Sequence, residues 1–356
     1  MSAKDVKRKV KIGFVGVGGM GQCAHLRNYA TLPDCEVVAL AEPRKETAKS
    51  VAQRYNIGKV YSDAAEMLKE EKLDALVASQ PFTRHGILIP ELLAAKIPIF
   101  IEKPLSSTIE SGEKILKALK ESGTWIMVGY HKRSDPASMH AKKEIENLKK
   151  TGEIGKLKYI RVLMPSGDWI SNGFFDLVKK DEYLKDLPCE PAPSDMDDEN
   201  YGKYIGFVNY YIHQVNLIRY LIGENYKVTY ADPNGVLLAG TTENGISISL
   251  EMTPYSTTLD WQESALACFE KGWVKLELPS PLRINTPGRV EIFRDPGNGK
   301  TPETIVPQMP WVHAMRQQAA NFISAVRGDA PPLCEAAEAL EDLKVARQYL
   351  KLLTGK

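Results

Sequence analysis

The chain has 356 residues, 43% of them apolar and 26% charged, with a formal net charge of +1. That length exceeds the roughly 100–200 residues of a typical domain, so two domains are expected, and the composition is that of a globular protein with a sizeable core. The balanced charge gives no reason to expect nucleic acid or an anionic membrane as partner, and no apolar run approaches the roughly 20 residues of a membrane span.

From the N-terminus, a basic stretch runs directly into the first apolar run with no h-region, which reads as a cytoplasmic protein. The five cysteines are scattered and show no CxxC spacing, as expected of reduced thiols. The run Ile12 to Val15 predicts a strand, and it ends in Gly16-Val17-Gly18-Gly19-Met20-Gly21. A helix is expected to about Tyr29, then a second strand, Val37 to Ala41, ending at Glu42. Strand, glycine turn, helix, strand and acid together predict a dinucleotide site. Gly16 makes the tight turn, Gly18 lets a pyrophosphate approach the backbone, and Gly21 lets the helix pack on the sheet. Gly19 and Met20 belong to the same phosphate-facing turn, whose helix N-terminus offers N–H groups to the phosphates. Glu42 lies 21 residues past Gly21, near the spacing of about 20 expected of the acid that accepts an adenosine ribose hydroxyl. Glu42 favours NAD, and the neighbouring Arg44 and Lys45 keep NADP as the alternative.

Helix and strand then alternate to Gly129, which implies right-handed βαβ units and a parallel sheet. In such a sheet, ligands bind beyond the carboxyl ends of the strands. The motifs expected there are the glycine turn, Ser79-Gln80-Pro81 with His85 behind it, Glu102-Lys103-Pro104, and Tyr130-His131-Lys132-Arg133. An isolated lysine is ordinarily a surface charge. At a strand end beside a cofactor pocket, Lys103 equally reads as a group that hydrogen-bonds a substrate hydroxyl and passes its proton.

After Gly129 the rhythm changes. A helix is expected over Pro136 to Lys150, and strands then dominate: Lys158–Met164, Lys227–Tyr230, Val236–Leu238, Gly245–Met252, Leu266–Glu270 and Trp273–Leu278. Most of their connections lack helices, so this sheet is expected to be mostly antiparallel. Pro188 to Tyr204 reads as a long surface loop, and Pro279 to Pro310 as a proline- and glycine-rich connection. One helix, about Val208 to Leu221, places Asn209 and His213 four apart on one face. A satisfied core histidine is the commoner explanation of such a stripe, and a substrate pocket is the other. The six histidines include no metal-type pair, so no metal is expected. Two helices, Trp311 to Arg327 and Cys334 to Leu353, close the chain. The fold class is therefore α/β: a Rossmann doubly wound parallel sheet over residues 1–130, and an α+β domain with a mostly antiparallel open sheet over 131–356. The helices of 311–353 are expected to pack back near the first domain.

IGFVGVGGMG, IEKPLSST, GYHKRSDP and YYIHQVNLIRYLIGE resemble the glucose–fructose oxidoreductase, inositol dehydrogenase and rhizopine-catabolism family over nearly the whole chain. The resemblance implies NAD or NADP, a sugar, cyclitol or related polyol as substrate, and an open sheet used for homodimer or homotetramer assembly. It assigns the substrate-contacting lysine to Lys103 and the helix histidine to His213. The family's usual aspartate falls on Asn209, an amide that cannot anchor a histidinium by charge. His213 is thus expected to work as a neutral base.

The expected reaction is oxidation of a secondary hydroxyl, with His213 or Lys103 taking its proton while the carbon gives hydride to nicotinamide. Tyr130, His131 and Arg133 are expected to line the pocket, with Trp169 and Tyr210 as sugar-stacking candidates, although a core role is commoner for either aromatic. One alternative is a glycoside hydrolase that recycles a retained NAD through transient oxidation and elimination. Another is a dinucleotide or sugar sensor without turnover.

Overall fold

Four consecutive fully buried residues, Ala75 to Ala78, and the near-continuous burial of Val10 to Val15 mark strands covered on both faces. The computed structural model describes residues 8–184 and 187–355. The basic stretch before residue 8 lies outside the described residues.

The chain divides into two compact units. The first holds the described residues up to Gly129 together with Gly173–Pro191 and Gln318–Leu340. The second holds Tyr130–Asn172, Ala192–Gln317 and the described residues from Glu341 on. The chain first leaves the first unit after Gly129. A single cut there misses the two segments that return to the first unit.

In the first unit, β1 (Val10–Val15), β2 (Cys35–Ala41), β3 (Lys59–Tyr61), β4 (Ala75–Ala78), β5 (Ile99–Glu102) and β6 (Ile126–Gly129) form a six-stranded sheet of order β3-β2-β1-β4-β5-β6. Every pairing in it is parallel. This is the doubly wound order whose ligand crevice lies outside the carboxyl ends at the β1/β4 reversal. The glycine turn leads into a π-helical turn, Gly21–Leu26, and a short helix α1 (Arg27–Tyr29). Helices α2 (Lys45–Tyr55), α3 (Ala64–Glu70), α4 (His85–Leu93) and α5 (Ile109–Ser122) complete the crossovers. Asp63 caps α3 by accepting from the Glu66 amide at 2.8 Å, as its position before an apolar period predicts. The core is tied by edge-to-face rings: Tyr29, Phe100 and Phe322 meet pairwise at 5.7–6.3 Å between centroids. Residues 334–335 extend the sheet edge, with the Val128 amide donating to Cys334 O at 2.9 Å.

In the second unit, α6 (Pro136–Thr151), β7 (Leu157–Leu163) and α7 (Asp198–Ile222) precede β8 (Tyr226–Ala231), β9 (Leu237–Thr242), β10 (Ser247–Glu251), β11 (Ser264–Phe269), β12 (Gly272–Glu277), β13 (Arg289–Arg294) and β14 (Glu303–Ile305). The eight strands run in the order β14-β13-β12-β11-β7-β10-β9-β8, and only β7 and β10 pair in parallel. Residues alternate between buried and partly exposed along β11, so one face is apolar. The other carries cross-strand pairs such as Lys158–Glu270 at 3.1 Å.

Two expectations are corrected here. The stretch Pro279 to Pro310 contains β13 and β14, and Pro188 to Tyr204 is a loop only as far as Asp197. There the Asp197 carboxylate accepts from the Asn200 amide at 2.9 Å and starts α7 ten residues earlier than expected. Helices α8 (Ala314–Val326) and α9 (Ala336–Thr354) end the chain. Among the described residues no helix is long and apolar enough to cross a membrane.

Candidate functional site

The glycine turn divides its labour. Gly16 has φ of 88°, and a Cβ there would lie 2.1 Å from Gln80 Nε2 and 2.5 Å from Ser79 O. A Cβ on Gly21 would lie 2.5 Å from Gly16 O. Both positions require glycine for packing. A Cβ on Gly18 would meet nothing within 4 Å, so this glycine faces open space. Gly19 and Met20 complete the turn, and a Cβ on Gly19 would reach only the Phe174 ring, at 3.5 Å.

Glu42 is 2% exposed at the end of β2. Its carboxylate accepts from the Val17 amide at 2.9 Å and from Arg44 Nε and Nη2 at 2.7 and 2.9 Å. Burial works to raise this carboxyl, but the hydrogen bonds from Arg44 and Val17 and the Arg44 charge outweigh it and hold it below its usual value. Glu42 thus joins the glycine turn to the second strand as an ionised group.

The next two strand ends are joined by His85. Its ring is fully buried, with Nδ1 3.1 Å from Pro104 O and 3.2 Å from Leu105 O, and Nε2 3.3 Å from Gln80 O. Burial lowers its pKa, so it is neutral. This histidine positions the Ser79-Gln80-Pro81 loop against the Lys103–Pro104 loop, whose peptide bond is cis. Gln80 is further held by Arg84 Nη1, at 3.0 Å from its Oε1.

Lys103 is half-buried at the end of β5, and its amide donates to Glu102 Oε2 at 3.1 Å. The other Glu102 oxygen meets Nε2 of His25, a buried residue of the π-helical turn. Burial works to raise Glu102, and the opposing pull of His25, its hydrogen bond and the Lys103 charge leave it lowered and ionised. His25 was not singled out from the sequence. Its position four residues past Gly21, on the helix that follows the turn, was the available signal.

Gly173–Pro191 also contributes residues that no sequence pattern announced. Val178 exchanges two hydrogen bonds with the Gln22 side-chain amide. Asp176 pairs with Arg27, and Glu182 accepts from the Glu46 and Thr47 amides at 3.0 and 2.8 Å. Glu190 accepts from the Gly86 amide, and from the Ser107 amide and hydroxyl. The segment is therefore fastened beside the glycine turn, at the start of α2 and at the start of α4.

The remaining candidates lie in the second unit, where the structure brings some together and not others. His213 lies edge-to-face with His131 at 4.5 Å and with Tyr130 at 6.0 Å between ring centroids. Asn209 is exposed, one turn earlier on α7. Arg133 points elsewhere: Nε donates to Asn216 Oδ1 at 2.6 Å, and the guanidinium lies over Tyr220. Asn216 in turn donates to Asp342, which also accepts from Arg219, so Arg133 belongs to a buried polar network. Tyr210 Oη accepts from the Gly167 amide at 3.3 Å. Trp169 is half-buried, and its carbonyl accepts from the Leu282 amide at 3.3 Å.

Residues 10–130 match the Gfo/Idh/MocA oxidoreductase family, NAD-binding Rossmann fold. Over those residues the chain carries that family's NAD-binding Rossmann fold. The scyllo-inositol 2-dehydrogenase (NAD(+)) of Bacillus subtilis is 28% identical over 236 residues, 65% of this chain and 59% of that protein. The myo-inositol 2-dehydrogenase of Thermotoga maritima is 24% identical over 63% of this chain and 58% of its own length, so the chain spans under two thirds of both dehydrogenases. The rhizopine catabolism protein MocA of Rhizobium meliloti is 23% identical over 97% of this chain and 96% of its own. The crystal structure of aldose–aldose oxidoreductase from Caulobacter crescentus superposes with a TM-score of 0.70 over 98% of each chain at 17% identity, a likeness of fold. The first unit is accordingly an NAD-binding unit, and its residues fit that cofactor. Gly18 leaves room at the backbone, the helix N-terminus follows it, and an ionised carboxylate ends β2.

Proposed function

We propose that the chain oxidises a secondary hydroxyl of a sugar or cyclitol with NAD. The observation that carries this is Lys103: a half-buried lysine at the end of β5, in the same row of strand-end loops as the glycine turn, with that loop held by the His85 and Glu102–His25 contacts. NAD, when bound, supplies the hydride acceptor. As the neutral amine, Lys103 hydrogen-bonds the substrate hydroxyl and takes its proton, and as the ammonium so formed it stabilises the negative charge that develops on that oxygen. His213, with His131 and Tyr130 around it, is the proton-transfer candidate of the second unit, and the Asn209 amide orients a hydroxyl without titrating. The inositol dehydrogenases among the relatives support a cyclitol or sugar as the substrate class.

The test is Lys103→Met, which keeps an unbranched side chain one atom shorter and removes its proton chemistry. Turnover should fall by at least about a thousandfold while NAD still binds, the scale expected when a general base and a charge stabiliser are lost together. Turnover within a few-fold of the parent would end the role given to Lys103.

One observation favours a second reading. Four residues of Gly173–Pro191 (Asp176, Val178, Glu182 and Glu190) are bonded to the strand-and-helix part of the same unit, which holds the cofactor. Slow cofactor release is what a redox-neutral glycoside hydrolase with recycled NAD requires. Stoichiometry separates the two: a dehydrogenase yields reduced cofactor in proportion to product, and the hydrolase yields product without it.

A further inference from the structure

Two features at the end of β2 could bind a phosphate, and the chain fills both with its own carboxylates. The first is Arg44, whose Nε and Nη2 are held by the two oxygens of Glu42 at 2.7 and 2.9 Å. The second is the N-terminus of α2, an eleven-residue helix whose early amides lack intrahelical acceptors. There Glu182 Oε1 accepts from the Glu46 amide at 3.0 Å, and Oε2 accepts from the Thr47 amide at 2.8 Å and the Thr47 hydroxyl at 2.9 Å. Glu182 is also close enough to Arg44 to act on its charge. Two amides, a hydroxyl and a guanidinium within five residues of the ribose-binding acid are the donors a 2′-phosphate would use. With both carboxylates in place, those donors are taken and one negative charge is in excess over Arg44.

We propose that Glu182 is a cofactor-specificity residue: by occupying the N-terminus of α2 it lets the pocket take an adenosine ribose with a free 2′-hydroxyl and turns away one that carries a 2′-phosphate. The assignment rests on the NAD reading of the first unit and adds a determinant from a segment far from the fingerprint in sequence. A 2′-phosphate has to displace Glu182 from three hydrogen bonds or stand beside two carboxylates. Removing the Glu182 charge frees the donors and removes the repulsion together.

The experiment measures dissociation constants of the full-length chain for NADH and NADPH by nicotinamide fluorescence, so it does not depend on turnover. Glu182→Ala should lower the ratio of the NADPH constant to the NADH constant by at least about tenfold, equivalent to about 1.4 kcal/mol. Glu182→Gln, which keeps the shape and one acceptor, should move the ratio in the same direction by less and serves if the alanine variant does not fold. Asp181→Asn removes the same charge from the exposed neighbouring position and should leave the ratio within about twofold, since it gives up none of the contacts at α2. A wild type that binds NADH, with Glu182 variants whose ratio does not move or moves no more than that of Asp181→Asn, overturns the role of Glu182 alone. A wild type that binds neither dinucleotide overturns the NAD reading beneath it.

Discussion

The side-chain amide of Gln22 and the backbone of Val178 exchange a pair of hydrogen bonds, as two strands would. Nε2 donates to Val178 O at 3.1 Å, and Oε1 accepts from the Val178 amide at 3.0 Å. The same Nε2 also donates to Val17 O at 2.8 Å, within the glycine turn. One buried side chain therefore couples the glycine turn to a segment 156 residues away. Gln22→Ala leaves three backbone groups short of partners, at a cost of about 1–3 kcal/mol for each that stays buried without water. The cost should fall locally. Limited proteolysis of the variant should cut within 173–191 at least about tenfold faster than in the parent, and equal cleavage rates would show that the pair does not fasten the segment.

The glycines of the turn should separate by what they damage. Gly18→Ala puts a methyl into open space, so the variant should melt within a few degrees of the parent and bind NAD at least about tenfold more weakly. Gly16→Ala forces a non-glycine residue to a φ of 88° and against Ser79 O, which costs about 1–2 kcal/mol for the backbone alone. It should therefore lower the melting temperature clearly. Calorimetry and cofactor titration on both variants check the contrast, and Gly18→Ala with unchanged NAD affinity would remove the phosphate role from that position.

The first unit was largely legible in the sequence because its cues are local. Buried parallel strands are short continuous apolar runs, and Asp63 sits where a helix cap is expected. The acid, Glu42, follows the glycine turn at the expected spacing. The strands β13 and β14 were missed because their six and three residues lie among prolines and glycines that dominate any window. The early start of α7 was hidden by Gly202 and Gly206, which lower helix propensity within a helix packed tightly further along. Glu182 and Glu190 could not be found at all. Their role lies in amides more than 80 residues away, and nothing in the local pattern of 173–191 records that contact. Arg133 illustrates the converse: it follows a strand end as a site residue would, but its partner Asn216 draws it into a buried network.

The pH dependence of stability should carry one unusual contribution. Asp135 caps α6 and also accepts from the Gly288 amide, and burial pushes its carboxyl up to about 6 against these hydrogen bonds. An unfolded aspartate releases its proton near 3.9, so between about 4 and 6 the folded chain binds more protons than the unfolded one. This group therefore lowers stability as pH rises through that window, by at most about 1.4 kcal/mol per pH unit, and the full cost is present above the folded pKa. Asp135→Asn keeps an acceptor for α6 and does not titrate. Melting temperatures measured across that window should show the variant gaining on the parent as pH rises. Parallel curves would place the Asp135 carboxyl near its ordinary value.

The most direct test of the proposed chemistry is nicotinamide absorbance of the purified chain given NAD and a panel of inositols, free aldoses and aryl glycosides. The predicted result is reduction of NAD that follows one class of cyclitol or sugar and is lost in Lys103→Met. Cleavage of an aryl glycoside with no net reduction, or NAD binding without reduction by any polyol, would contradict it.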